Sequence, residues 1–174
     1  MSFKQGYIQV YTGDGKGKTT AAIGLAIRAA GAGLKVFIAQ FIKSGDYSEI
    51  KALERYEDLI TVKQYGYGRF FKGKPAAEDI AIAREGIAAI RQAFLSGDYQ
   101  VVIMEEGNVA VTCGLFPVEE ILSLMEEKPG QLELVITGRG ANVQVIEKAD
   151  LVTEMRAVKH YYQTGVAART GIEK

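Results

Sequence analysis

The sequence has one cysteine, one histidine, three prolines, no tryptophan and no net charge in 174 residues. The single cysteine, Cys113, excludes an internal disulfide, and with no second cysteine at metal-ligand spacing it reads as a small core residue. Twenty-one basic side chains cancel 21 acidic ones, which removes the broad positive field that nucleic-acid or anionic-membrane binding needs. Any anion site must therefore be local. No window approaches the roughly 18–20 apolar residues of a membrane span, and the start, MSFKQGYIQV, has no basic segment leading into a long apolar run. The expectation is a cytoplasmic protein with neither a nucleic acid nor a membrane as partner. Repeats, low-complexity stretches and linkers are also missing, and at 48% apolar composition residues 1–174 are expected to form a single domain with one core.

What is present is an alternation. Short β-branched runs occur at YIQVY (7–11), KVFIAQF (35–41), LITVKQY (59–65), QVVIME (100–105), LELVIT (132–137) and LVTEM (151–155). Several are apolar on consecutive positions, as in strands covered on both faces. Between them the spacing is helical. Ile80, Ala83, Ile87, Ile90 and Phe94 advance by three or four between Pro75 and Ser96, and Val118, Ile121, Leu122 and Met125 do so after Pro117. That second helix opens with proline and two acids, Glu119 and Glu120, where the helix dipole favours them, and KPG (128–130) stops it. Strands alternating with helices predict an α/β domain with a mostly parallel central sheet. The one long irregular stretch is GYGRFFKGKP, 66–75.

The segment YTGDGKGKTTAA, 11–22, joins the first strand to an Ala-rich helix that the Gly31/Gly33 pair should end. In a phosphate-binding loop, successive backbone N–H groups line one concavity at a helix start, a lysine reaches the phosphates and a hydroxyl reaches Mg²⁺. Gly13, Gly15 and Gly17 supply the permissive backbone, Lys18 the charge and Thr19 the hydroxyl. The spacing is G-x-x-x-G-K-T, one residue shorter than the usual pattern. A bare glycine-rich turn would place two lysines at a positive helix end without compensation, so an anion is the simplest reading. The second expected part is a carboxylate at the end of a buried strand. Glu105 and Glu106 follow the apolar run 101–104, on the side where ligands of α/β sheets bind. With strand alternation, one of the two should face the phosphates.

These residues resemble the ATP:corrinoid adenosyltransferases of the cobalamin-synthesis type. The resemblance covers nearly the whole chain, through VYTGDGKGKTTAAIGLAIRAAGAG, QFIKSGDYSE, YQVVIMEEGNVA, FPVEEIL and ELVITGRGANVQVIEKADLVTEMRAVKHYYQTGVAARTGIE. The short loop is part of that family's pattern. The resemblance implies a P-loop NTPase-like, three-layer fold in which ATP binds reversed, with the γ-phosphate in the loop and the sugar C5′ turned outward to a Co(I) corrinoid. The products would be an adenosylcorrinoid and inorganic triphosphate. Carried over, Gly13, Asp14, Gly15, Lys16, Gly17, Lys18, Thr19 and Thr20 would cradle the polyphosphate, and Thr19 with Glu106 would hold Mg²⁺. Lys18 and Glu106 would be the catalytic pair. Arg28 and Arg139 match family arginines near the nucleotide, although the spacing alone fits a surface charge for Arg28 and a solvated loop charge for Arg139. A homodimer and an electron-donating reductase are implied as partners.

Some positions depart from that pattern. The family's corrinoid loop carries Gly-Phe-x-Trp, which excludes the lower axial ligand of cobalt; here it is Gly68-Arg69-Phe70-Phe71, so Arg69, Phe70 and Phe71 are the candidate corrinoid-binding residues. Glu105-Glu106 stands where Asp-Glu is usual, and Asp14 where asparagine is common. Asp14 should weaken phosphate binding unless Lys16 or the metal offsets it. The N-terminal extension that in some members folds over the corrinoid is not in this sequence. His160 is expected to be a structural or loop residue rather than a cobalt ligand. The bare motifs also suit a small P-loop kinase or nucleotide hydrolase, or a binding module without turnover. Against the kinase stands the short loop and the lack of an arginine-rich lid.

Overall fold

A computed structural model describes residues 3–68 and 73–173. Six strands form one sheet: β1 (Ile8–Thr12), β2 (Val36–Phe41), β3 (Ile60–Tyr65), β4 (Val101–Glu105), β5 (Glu133–Thr137) and β6 (Leu151–Glu154). Their order is β3-β2-β4-β5-β1-β6 and every pairing is parallel. The six apolar runs thus all became strands, and the sheet among the described residues is wholly rather than mostly parallel. The helices are α1 (Lys18–Gly31), α2 (Ser48–Leu53), α3 (Ala77–Ser96), α4 (Gly107–Thr112), α5 (Val118–Glu127) and α6 (Val143–Lys148).

They sort onto two faces, giving three layers. One face carries Ala22, Ala26, Ala29 and Ala30 of α1 and Leu53 of α2 against Val36, Ile38, Ile103 and Val135. Alanines at helical spacing let α1 lie close to the strands, and they are also the best helix formers. The other face packs Ala83, Ile87, Ile90 and Phe94 of α3, with Ile121, Leu124 and Met125 of α5, on Phe37, Phe41, Val102, Met104 and Leu134. Helix α3 opens with the Asp79 carboxylate accepting the Ala76 N–H at 2.9 Å and closes on Gly97 in the left-handed region at φ 69°. Within it, a Cβ at Gly86 would stand 2.7 Å from Phe41 and 2.8 Å from Tyr65, so glycine sets how near α3 approaches the sheet. None of the described helices is long and apolar enough to cross a membrane.

The strand order decides where the site forms. From β1 the chain crosses to β2 on the far side of β5 and β4, which lays α1 over β4 and β5. The start of α1 therefore meets the carboxyl end of β4, 86 residues away in sequence.

A phosphate-loop site at the carboxyl edge of the sheet

Thr12 ends β1, and the loop from Gly13 to Gly17 turns into α1. Gly13 and Gly17 have φ of 93° and 126°, conformations that side chains rarely adopt. A second constraint comes from the chain just past β6. The Met155 carbonyl accepts the Gly15 N–H at 2.6 Å, and a Cβ on Gly13 or Gly15 would stand 2.5 or 2.7 Å from that oxygen. The glycines thus serve the fit of the loop against Met155 as well as an open approach for an anion. Lys18 is buried, and its ammonium donates to the carbonyls of Gly13 and Gly15 at 2.7 Å each. Burial first, then Arg139, lowers its pKa, while Glu106, Asp14 and Glu105 pull the other way.

The acidic pair closes the other side. Glu105 ends β4 fully buried and accepts the Thr19 hydroxyl at 2.6 Å on Oε1. The Lys43 ammonium, just past β2, donates to the same oxygen at 3.1 Å. The acidic pair does not alternate as a strand would. Glu106 has φ 59°, which turns the chain so that Glu106 lines the cavity beside the buried Glu105, and the Thr137 hydroxyl accepts its N–H at 3.0 Å. One side chain of the pair was expected at the site; the left-handed turn brings both. Burial, then the Glu105 charge, raises the Glu106 pKa, with Lys43, Lys18 and Arg139 opposing. For Lys43 the balance goes the other way: burial lowers its pKa, yet Glu105 and Glu106 together outweigh burial and raise it. Glu105 Oε2 and Glu106 Oε2 are both buried without a hydrogen-bond partner.

Around these groups lies a cavity of about 740 Å³. Gly15 to Thr20 form its floor, and Lys43 with Tyr47, Ser48 and Glu49 at the start of α2 form one wall. Glu106, Arg139, His160 and the segment Gly171 to Glu173 complete it. Arg139 is placed by the turn after β5, where the Asn108 amide donates to Gly138 O at 3.3 Å and Gly138 has φ 128°. The C-terminal segment is tied down from the loop: the Lys16 ammonium donates to Ile172 O at 2.5 Å and reaches the Glu173 carboxylate at 3.5 Å. Glu173 also pairs with Arg169 at 3.1 Å and accepts the Tyr161 hydroxyl.

Lys16, Lys18, Thr19, Thr20, Glu106 and Arg139 thus share one cavity with Gly15 and Gly17. Gly13 contributes its carbonyl to Lys18, and Asp14 is exposed outside the lining. Arg28 is exposed in the last turn of α1, also outside the lining; ten residues beyond Lys18, it stands roughly 15 Å further along the helix axis. Thr19 bonds Glu105 rather than its expected metal partner Glu106. Arg69, Phe70 and Phe71 lie outside the described residues. His160 is a loop residue whose Nδ1 accepts the Tyr162 N–H at 3.2 Å. Cys113 is only partly buried, packed against the core from the end of α4. Lys43 and the C-terminal wall were missed. A charged residue two positions past the end of a buried strand is the signal that could have found Lys43.

A parallel three-layer domain with a lysine-bearing glycine loop after β1 and a buried acid at the end of β4 defines a P-loop-type nucleotide-binding protein. The chain matches the ATP:corrinoid adenosyltransferase BtuR/CobO/CobP family over residues 4–173 and belongs to that family. It is 33% identical over 171 residues to a corrinoid adenosyltransferase of Pseudomonas aeruginosa, covering 98% of this chain and 84% of that one. Against the corrinoid adenosyltransferase of Escherichia coli K12 it is 36% identical over 171 residues, covering 98% and 86%. With the corrinoid adenosyltransferase CobA of Salmonella typhimurium the identity is 35% over 173 residues, covering 98% and 86%.

Proposed function

We propose that the protein transfers the 5′-deoxyadenosyl group of ATP to the Co(I) centre of a corrinoid, releasing inorganic triphosphate, in adenosylcobalamin synthesis or salvage. The observation that carries this reading is that the shortened loop and Glu106 line one cavity, with Thr19 bonded to the buried Glu105 beside it, in a chain of this family. In this reading the polyphosphate lies over Gly15 to Thr20, where backbone N–H groups, Lys16, Lys18 and Arg139 receive its charge. Lys18 then exchanges two loop carbonyls for phosphate oxygens.

Thr19, Glu105 and Glu106 offer a hydroxyl and two carboxylates, each with one buried, unpartnered oxygen, a set of hard oxygen donors that suits Mg²⁺. Bound there, Mg²⁺ would neutralise polyphosphate charge. The cavity is within the usual range of ligand pockets, about 300–1,000 Å³. With the phosphates held at the loop, C5′ faces the open side. The Co(I) electron pair forms the cobalt–carbon bond as the C5′–O bond breaks, and the electrons of that bond leave on the triphosphate. No side chain acts as nucleophile. The chain's contribution is alignment and stabilisation of the leaving charge.

Arg69, Phe70 and Phe71 are proposed to bind the corrinoid, with Phe70 or Phe71 shielding its lower face. A homodimer acting in the cytoplasm with an electron-donating reductase completes the reading. A kinase or hydrolase is not favoured, because the family match spans nearly the whole chain. The test is anaerobic incubation of the protein with Mg²⁺, ATP and chemically reduced corrinoid. The expected result is a light-sensitive alkyl–cobalt spectrum; a corrinoid spectrum unchanged by ATP would remove the reading.

A further inference from the structure

Lys43 belongs to no phosphate-loop motif, yet its surroundings are specific. It leaves β2 through a tight turn in which its N–H donates to Phe41 O at 2.7 Å, with Ile42 between them at φ 68°. A β-branched residue in the left-handed region is rare and persists only where its neighbours enforce it. Here they do. Gly68 N–H donates to Ile42 O at 2.9 Å, and at Gly66 any Cβ would stand 2.3 Å from the Ile42 carbonyl carbon. The result is that Lys43 points inward. Its ammonium lies 3.1 Å from Glu105 Oε1 and 3.5 Å from Thr19 Oγ1. Its side chain is 20% exposed and that of Glu105 1%.

The Thr19 hydroxyl and the Glu105 carboxylate are among the donors assigned above to Mg²⁺, so the inference rests on that reading. A magnesium ion needs oxygens at about 2.0–2.1 Å, and an ammonium bonded to the Glu105 carboxylate and 3.5 Å from the Thr19 hydroxyl would be left beside a divalent charge. One cation must yield. We propose that Lys43 is the resident cation of the metal position: it neutralises the Glu105–Thr19 pair in the nucleotide-free protein and is displaced when Mg²⁺ arrives with ATP.

The displaced ammonium has somewhere to go, because Lys43 lines the same cavity as the phosphate loop. Metal alone must expel the lysine with no compensating anion. Metal with polyphosphate supplies that anion. Lys43 thus makes Mg²⁺ and ATP bind together and keeps the free protein from collecting divalent ions, a positioning role rather than a catalytic one.

The experiment is a Mn²⁺ titration of the nucleotide-free protein at neutral pH, read by loss of the free-ion paramagnetic resonance signal. Wild type is compared with Lys43→Met and with Lys43→Gln, the second keeping a donor for Glu105 should the first fold poorly. Both neutral variants should bind Mn²⁺ about tenfold or more tightly than wild type, and ATP should enhance their Mn²⁺ affinity less. Lys43→Arg, which keeps the charge, should stay weak. Unchanged or weaker Mn²⁺ affinity in both neutral variants overturns the inference, as does the absence of Mn²⁺ binding in every protein. Adding Glu105→Gln to Lys43→Gln separates the two levels. If it abolishes Mn²⁺ binding that Lys43→Gln did not tighten, the metal assignment stands and the displacement fails. Tightening in the neutral variants, with no adenosyl transfer by the wild-type protein, sustains the displacement and removes the proposed reaction.

Discussion

Replacing Lys18 by alanine should separate catalysis from folding. The ammonium makes two hydrogen bonds of 2.7 Å to loop carbonyls, and a bond to a charged group contributes about 1.5–3 kcal/mol. Opposing this, burial and Arg139 disfavour the charged form. Gly13 is only half-buried, so its carbonyl can take water when the lysine is gone. The Gly15 carbonyl is buried and loses its partner, so we expect a net loss of stability of about 1–3 kcal/mol. Activity should respond far more strongly, since removing one preorganised donor to a developing negative charge costs about 10²–10³ in turnover. The pH dependence has a definite sign. A lysine whose folded pKa is lowered binds fewer protons in the folded chain, so wild type should gain stability relative to the variant as pH climbs toward the ordinary value of 10.5. Urea melts across pH, together with rates of adenosyl transfer on the same preparations, check both halves. Near-normal rates, or a stability loss above about 3 kcal/mol with proportionate activity, would refute the reasoning and make Lys18 a structural residue.

Arg139→Ala should raise the KM for ATP about tenfold or more, as expected for loss of a charged contact of about 1.5–3 kcal/mol. Arg28→Ala, outside the cavity lining, should leave it within about twofold; steady-state kinetics on the pair decides whether the position of Arg28 in α1 matters. Gly86→Ala places a Cβ 2.7 Å from the buried Phe41 ring. Overpacking of about 1–3 kcal/mol should outweigh about 1 kcal/mol of helix propensity, a loss visible in denaturant midpoints. At the C-terminal wall, Arg169 first and then Tyr161 hold the Glu173 carboxyl well below the usual carboxylate range. A depressed carboxylate stabilises above its unfolded pKa and loses that contribution only as pH falls through the folded one. Protection from hydrogen exchange over 160–173, relative to the unstructured rate at each pH, should thus persist below pH 4.5, the ordinary value, and fall only in stronger acid; in Glu173→Gln it should be low throughout.

The sheet was legible because a strand covered on both faces must be apolar at nearly every position, and Val36–Phe41 and Val101–Glu105 are buried along their whole length. The long helices were legible through their period. Helices α2, α4 and α6 have six residues each, too few turns for a period to register. At the site, the loop spacing pointed to Gly15, Gly17, Lys18 and Thr19, because one segment carries them all. The acidic pair was legible only as an alternative, since alternation cannot anticipate the left-handed turn at Glu106. Lys43 and Thr19 meet only because α1 crosses β5 and β4. Arg28 lies on the same helix as Lys18 but outside the cavity lining, because residues of one helix share an axis without sharing a cavity. The C-terminal wall buries little and is held by polar contacts such as Lys16 to Ile172, so it leaves no hydrophobic pattern to read.

The central claim is that the loop holds the phosphate tail while C5′ reacts, and the most direct measurement is the identity of the phosphate product. Phosphorus magnetic resonance of a completed anaerobic reaction with reduced corrinoid, Mg²⁺ and ATP should show inorganic triphosphate in equal amount to the adenosylcorrinoid formed. ADP and orthophosphate in its place, with no alkyl–cobalt product, would contradict the account and leave the protein an ordinary nucleotide hydrolase.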